Sequence, residues 1–595
     1  MECDDILLVR KFVCNEFEAR RAFGALKANR KGVQMTGHKI HPLAREAKAL
    51  LAKGTLPRRD FLRIATLVGV STAAASLMAG STLPVTAAED NLPFPVGDPK
   101  AKAGGVLRVG MQVPSLKDPA VFDSAEMANL ARHMVEHIAM IGPDNIARPM
   151  LAETWSASKD LKTWTIKFRE GIVWHSGEEL VAEHIAWNVS RWLDPKRTPG
   201  SPVPGLSTFA AMVSGQGATV KQIPGAVEIV DKYTLRLNLK RPVLSVMEDC
   251  AHLATGICHP SFREPLSNNL NGTGPFTISE YSEDDVCILS RVTETENGDP
   301  FVYWGGEVFL DEIHYYKSLD DDDLDAYGTG DVDFIHAIES DQIAAARELG
   351  ADVHSGRTSR TLVCRMRVSQ EPFADVRIRE AVVRAIDNAA LKALVAPVGG
   401  DVGENHHVAP SHPDYAKLAP LVRNVEKART LLTEAERLDG LELTILVGDV
   451  ETGWQKKLCD AMAKQLLEAG IKLNVNMVPP SEFAALSKNA GFAAVPWTHR
   501  PLGTMALSLA YRAGSAWNDS HFGDPDFESA LDSAEATLDM AKRRARMQKV
   551  ERILQDSFVM VQPVFIPVHA ASSTKVQGFV AHPTQEHHFH KVWVA

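Results

Sequence analysis

Six residues, Asn271-Gly272-Thr273-Gly274-Pro275-Phe276, constrain this chain more than any other stretch. Two glycines about a threonine, with proline next, force a tight and defined corner, because glycine tolerates backbone geometry closed to other residues and proline fixes φ. An alternating strand leaves the corner over 276–281, and 286–291 reads as its hairpin partner. Tyr303-Trp304-Gly305-Gly306 and Leu310-Asp311-Glu312-Ile313 follow. Alone, the hexapeptide is an ordinary hairpin turn; its ordered flanks make it part of a larger unit.

The chain has 595 residues, too many for one core, and a prior of one unit per ~150 residues gives about four. A glycine-led strand over 104–111 starts the fold, and 128–141 reads as helix. Trp164, Ile166 and Phe168 alternate on a strand that runs through a turn at Ser176-Gly177 into an amphipathic helix over 182–193. Strands over 227–239, 330–335 and 362–368 lead to Glu371-Pro372-Phe373-Ala374-Asp375-Val376 and a further helix. Helix, strand, helix and strand over 428–435, 441–447, 455–469 and 470–475, with Gly470 as the helix stop, are α/β wiring. A helix over 543–557 and an apolar strand over 561–568 close the pattern.

The corner with its flanks, Asp118-Pro119-Ala120, the block from Leu151 to the helix beyond Glu178, and Pro372 to Ala381 stand in an order that resembles family 5 extracytoplasmic solute-binding proteins, the peptide, opine and nickel receptors of ABC importers. The likeness runs from about Gly104 to Gly578; His184-Ile185 stand where the family has Asp-Val. The resemblance implies an α/β, two-lobed periplasmic-binding-protein fold with mixed sheets, of the large class-C type with an extra subdomain in lobe I. Lobe I is then 104–361 with that subdomain at about 150–228, lobe II is 362–565, and 566–595 return to lobe I. Hinge strands are expected near 362–368 and 564–568. The implied protein is a monomeric receptor that holds a peptide or other small polar solute between its lobes and delivers it to an inner-membrane ABC permease. It has no catalytic residues and no cofactor. A metal or haem receptor of nickel type, or a periplasmic enzyme or chaperone on the same shell, is the alternative.

Ahead of the fold, 64–79 is apolar but shorter than the ~20 residues a spanning helix needs. Arg58-Arg59-Asp60-Phe61-Leu62 precede it and small residues over 85–88 follow, the pattern of a twin-arginine leader over 1–88. Pro57 takes the place of the usual Ser or Thr before the arginines, and an ordinary secretory leader is the alternative. Met35 is a more natural start than Met1, so 1–34 are expected not to be translated. Residues 1–88 hold 14 Lys and Arg against 7 Asp and Glu, so a chain without them is more acidic than the −11 of the whole. Such a surface repels nucleic acid and anionic lipid. Cys250, Cys258, Cys287, Cys364 and Cys459 remain, enough for two disulfides at most. Cys250 to Cys258 is the nearest pairing, and buried free thiols are the alternative.

Catalytic signatures are missing: no GxSxG, HExxH, CxxC or GxxxxGK[ST] occurs. His133 and His137 stand four apart, a spacing that can hold a metal on a helix but more commonly marks a solvated or packed pair. His406, His407 and His412, and His587, His588 and His590, raise the same metal or haem reading. Acidic residues over 320–325 are read as helix N-terminal charge. Peptide receptors of the resembling family carry an acid shortly after a lobe II tryptophan, where it pairs with the peptide ammonium. Here Trp497-Thr498-His499-Arg500 carries a base. Either another acid such as Asp519 serves, or Arg500 forks onto a ligand carboxylate with Trp497 and Trp517 as apolar walls and Asn518 as a hydrogen-bonding partner. The bland alternative for Arg500 is a surface pair with a neighbouring acid.

Replacing Arg58 and Arg59 by lysine is expected to strand precursor in the cytoplasm, as read by fractionation; unchanged export would make the leader an ordinary secretory one.

Overall fold

A computed structural model describes residues 101–215, 219–268, 271–317, 323–437, 440–450 and 453–595. The expected leader lies outside them. Two seven-stranded mixed sheets dominate. In the first, strand Val106–Gly110 runs parallel to Glu312–Tyr316 on one side and to Phe334–Ile335 on the other. The hairpin Phe276–Ser282 and Val286–Arg291 extends one edge, and Val568–Ser572 and Asp352–Gly356 extend the other. Period-two burial explains the packing: Leu107, Val109, Ile313 and Tyr315 are fully buried, whereas Val106 is exposed. In the second sheet, Thr361–Met366 lies between Phe492–Trp497 and Val564–Phe565, and Leu441–Val447 and Ile471–Met477 run parallel at one edge.

A smaller antiparallel sheet, in the order Ala152–Ala157, Thr163–Phe168, Thr234–Asn238, Val227–Asp231, carries helix Ala182–Trp192. Trp164, Ile166 and Phe168 point into its core with Ile185, Val189 and Trp192. Its strands reach Asn238, ten residues past the 228 drawn from the sequence.

The corner earns its glycines differently from the sequence reading. Neither Gly272 nor Gly274 has positive φ. Instead a Cβ on either would overlap the carbonyl oxygen of Met134 or His133. Gly274 N–H donates to Met134 O at 3.0 Å and Phe276 N–H to His133 O at 3.2 Å. That contact also corrects the expected helix over 128–141. Those carbonyls are taken by the corner, so the helix stops at Ala125–Ala131 and the chain re-enters as strand Ala139–Ile141. His133 and His137 therefore share no helical face. On the corner's other side His175 N–H donates to Gly272 O at 2.8 Å and its Nε2–H to Gly274 O at 2.7 Å.

Glu136, 1% exposed, joins these pieces. Its carboxyl group accepts from Thr273 Oγ1 at 2.7 Å, Tyr303 OH at 2.8 Å and Trp304 Nε1 at 2.6 Å. One side chain thus ties the corner to the Tyr-Trp pair thirty residues on.

The chain passes between the large sheets at 357–360 and at 566–567. The two crossings bond each other: Ile566 N–H donates to Arg360 O at 2.8 Å, and Thr358 Oγ1 donates to Ile566 O. The first lies upstream of the 362–368 segment expected to carry it, which sits inside the second sheet. The expected strand over 561–568 is broken into Met560–Val561, Val564–Phe565 and Val568–Ser572, since Pro563 and Pro567 have no N–H to give a ladder. The five cysteines among the described residues are free and buried, Cys250 and Cys258 included. No helix among the described residues is long and apolar enough to cross a membrane.

Glu136→Ala leaves two buried donors, Thr273 and Tyr303, and the half-buried Trp304 without an acceptor, and each buried orphan costs about 1–3 kcal/mol. Urea unfolding is expected to show a loss of about 3 kcal/mol or more; a loss below about 1 kcal/mol would remove Glu136 from the centre of this lobe.

Candidate functional site

Between the lobes, the loop after strand Phe492–Trp497 is fastened to the first crossing. Ser359 N–H donates to His499 Nδ1 at 3.0 Å, Arg500 N–H donates to Ser359 Oγ at 2.8 Å, and Ser359 Oγ donates to Arg500 O at 2.9 Å. His412 adds its Nε2–H to Arg500 O at 3.0 Å while Nδ1 accepts from Ala409 N–H. The loop is thus held through the backbone of Arg500 and through the ring of His499.

Lobe I meets it with three stretches far apart in sequence. Leu161 and Leu244 pack on Leu502, and Asn145 Nδ2 donates to Ser411 O at 3.0 Å. The short helix Val246–Asp249 brings Glu248 and Asp249, and His252 follows it. Asp249 accepts from Thr208 N and Oγ1, while Glu248 makes no ion pair among the described residues and faces Arg543 and Asp414 of lobe II. The third stretch is the C-terminal return. His582 gives Nε2–H to Ile141 O at 2.9 Å, and Glu586 pairs with Arg132 at 2.9 Å. A small cavity beside it, lined by Arg132, His137, Tyr303, Glu586 and His588 among others, has room for about one or two waters.

The four residues singled out from the sequence are not equivalent. Arg500 is half-buried, and its Nη1 donates to Thr498 Oγ1 and His499 O. It has no carboxylate partner among the described residues, so the surface-pair reading does not describe it; burial lowers its pKa and the field of Asp249 opposes that. Trp497 packs edge-on to His407 at 4.9 Å, and Trp517, 53% exposed, lies 5.6 Å beyond it. Asn518 is committed to its own turn: Nδ2 donates to the carbonyls of Tyr511, Arg512 and Phe522, and Oδ1 accepts from Ser520 Oγ and Phe522 N–H. Asp519 faces Arg365. Sequence reasoning did not single out His499, His252, Glu248 or Glu586. His499 had a signal, its place beside Arg500; the others become neighbours only through the fold.

Three histidines, His184, His259 and His582, are hydrogen-bonded in ways that use up their lone pairs. His184 Nδ1 accepts from Trp174 Nε1–H and His259 Nδ1 from Ser261 N–H, so both imidazoles carry their proton on Nε2 and give it to Glu178 at 3.2 and 3.0 Å. His582 donates through Nε2 and accepts at Nδ1 from Thr584 N–H. Metal ligation needs an unprotonated ring nitrogen with an open lone pair, which these three rings lack.

Burial sets the titration of this region. It raises Glu136 and Glu248 to about 7, Asp249 to about 6 and Glu551 to about 9. It lowers His137, His252 and His582 to about 4 and His407 to about 3. The lowered histidines contribute stability that is present above their unfolded value near 6.5 and lost as pH falls toward 4. The raised carboxyls contribute stability present below their unfolded values near 4 and lost as pH rises through 6 to 9. The two windows overlap between about 4 and 6.5, where the opposing losses offset one another, and above about 6.5 only the carboxyl loss continues. The thermal midpoint is therefore expected to fall as pH rises from 7 to 9; a midpoint still rising over that range would contradict these assignments.

Comparison with known proteins adds a family. The model described as bacterial extracellular solute-binding proteins, family 5 Middle, matches residues 147–519. The dipeptide-binding protein DppE of Bacillus subtilis is 25% identical over 515 residues, 81% of this chain and 91% of its own. The glutathione-binding protein GsiB of Salmonella paratyphi A is 25% identical over 393 residues, 65% of this chain and 72% of its own. Among solved structures, HbpA2 from Haemophilus parasuis aligns with a TM-score of 0.71 at 20% identity, covering 83% of this chain and all of that one.

Proposed function

Because this chain belongs to the bacterial extracellular solute-binding proteins of family 5, we propose that it is the receptor of an ABC importer, that it takes a peptide-like solute carrying a carboxylate between its lobes, and that Arg500 holds that group. Arg500 carries the reading: a guanidinium on the inter-lobe loop, fixed by its backbone to the lobe crossing, with no carboxylate partner among the described residues. Arginine presents a rigid fork of donors that matches a carboxylate. Trp497, packed on His407 behind the loop, supports it as a wall. The names of DppE and GsiB support a peptide-like ligand.

Ligand acts in such a receptor by preferring one arrangement of the lobes over another. The adjacent crossings at 357–360 and 566–567 suit a hinge, since only two short segments must change their torsions. An inner-membrane permease is the partner that would read the closed form, and the protein acts as a monomer. The twin-arginine segment supports delivery to the periplasm in the folded state. Its relatives are binding proteins, and the reading includes no reaction.

A pool of unblocked di- to pentapeptides is expected to stabilise the protein in thermal unfolding, by about 2.7 kcal/mol at 100-fold excess over the dissociation constant. Arg500→Ala is expected to weaken binding by about 2 kcal/mol or more, the cost of removing one partner from a desolvated charge pair. Calorimetry showing unchanged affinity would take Arg500 out of the site.

A further inference from the structure

His499 stands next to Arg500 on the same loop, with its ring in the field of that guanidinium. It is 9% exposed. Its Nδ1 accepts the Ser359 N–H at 3.0 Å, and a ring nitrogen that accepts a backbone N–H cannot itself carry a proton. The proton of the neutral ring is therefore on Nε2. That Nε2–H has no hydrogen-bond partner among the described residues. Buried polar groups are nearly always satisfied, so a donor held in place and left unmet calls for an acceptor from elsewhere. The groups that face it are Arg500 and His412 of its own lobe and, from lobe I, His582 and Glu586. Its neighbours in lobe II take none of its proton: His412 gives its own Nε2–H to Arg500 O.

We propose that His499 is a ligand-binding residue, giving its Nε2–H to the same ligand carboxylate that Arg500 holds, so that the two side chains form a clamp of donors built on the lobe crossing. This rests on the receptor reading above and goes further in assigning a second donor and its fixed tautomer. The ligand class it selects is a free acid: a carboxylate can accept from the imidazole with one oxygen and from Arg500 Nε or Nη2 with the other, whereas a carboxamide would bring an N–H against one of these donors. Ser359 makes the clamp part of the hinge. The same residue supplies the N–H that fixes the imidazole and the hydroxyl that receives Arg500 N–H, and it lies within the 357–360 crossing. A pull on the carboxylate is thereby a pull on the segment about which the lobes turn.

The test compares a pool of unblocked tripeptides with the same pool amidated at the C-terminus, on the full mature chain, by calorimetry. Wild type is expected to prefer the free acids. His499→Phe is expected to weaken the free-acid pool about tenfold or more, the usual worth of a hydrogen bond to a charged group, with the amidated pool within about twofold. His499→Gln, whose side-chain amide restores a donor, should recover most of the loss. Equal weakening on both pools, or none on either, would overturn the assignment while leaving the receptor reading in place. Failure of the wild type to bind either pool would sink the peptide-like reading and this inference with it. Independently of any variant's folding, nitrogen-15 spectra of histidine-labelled protein should show His499 as a neutral ring with its proton on Nε2; a proton on Nδ1 would refute the clamp.

Discussion

The carboxyl group of Glu136 is the contact on which lobe I depends. It is buried and accepts from Thr273, Tyr303 and Trp304, so three segments that share no secondary structure meet on two oxygen atoms. Around it the corner lies directly on the backbone of His133 and Met134, and His175 clasps it from the other side. Burial opposes ionisation and three donors favour it; burial wins, leaving the group to titrate at about 7. Such a network is worth keeping only when every member is satisfied. It accounts for residues that look like unrelated motifs along the chain: glycines for close approach, threonine, tyrosine and tryptophan for their donors.

The proposed site depends on this arrangement at one remove. The segment that ends at Glu136 continues through His137 into strand Ala139–Ile141, whose last carbonyl accepts a hydrogen bond from His582 Nε2–H. The C-terminal return is thereby placed against the cleft, with Glu586 held by Arg132. From the opposite side, Ser359 fixes the Arg500 loop to the crossing. Lobe I and lobe II thus bring His582 and Glu586 toward His499 from backbones that are each independently pinned. Preorganisation of this kind lowers the entropy cost of binding.

Much of the fold was legible, and for reasons that can be named. The alternation of Trp164, Ile166 and Phe168, the strand and helix pairs of lobe II, and Gly470 with φ +85° at a helix end are local signals with local causes. The corner was legible as important, but its reason was not: the need for glycine comes from His133 and Met134, which stand more than 130 residues away. The same contact ended the helix that periodicity extended to 141. Two prolines cut the strand expected over 561–568, a rule available from the sequence and outweighed there by its apolar run. Of the proposed site, Arg500 stood out because it stands where the resembling receptors carry an acid, whereas Asn518 looked like a ligand residue and is consumed by its turn. Glu248, His252 and Glu586 carry no mark in the sequence, since what distinguishes them is which lobe surface they reach.

The account stands on closure of two lobes about the paired crossings at 357–360 and 566–567. Small-angle scattering of the mature protein, with and without the solute released from natively purified material, measures that directly. A smaller radius of gyration at saturating solute is the predicted result. An unchanged radius with binding verified in the same sample would contradict a receptor that works by closing.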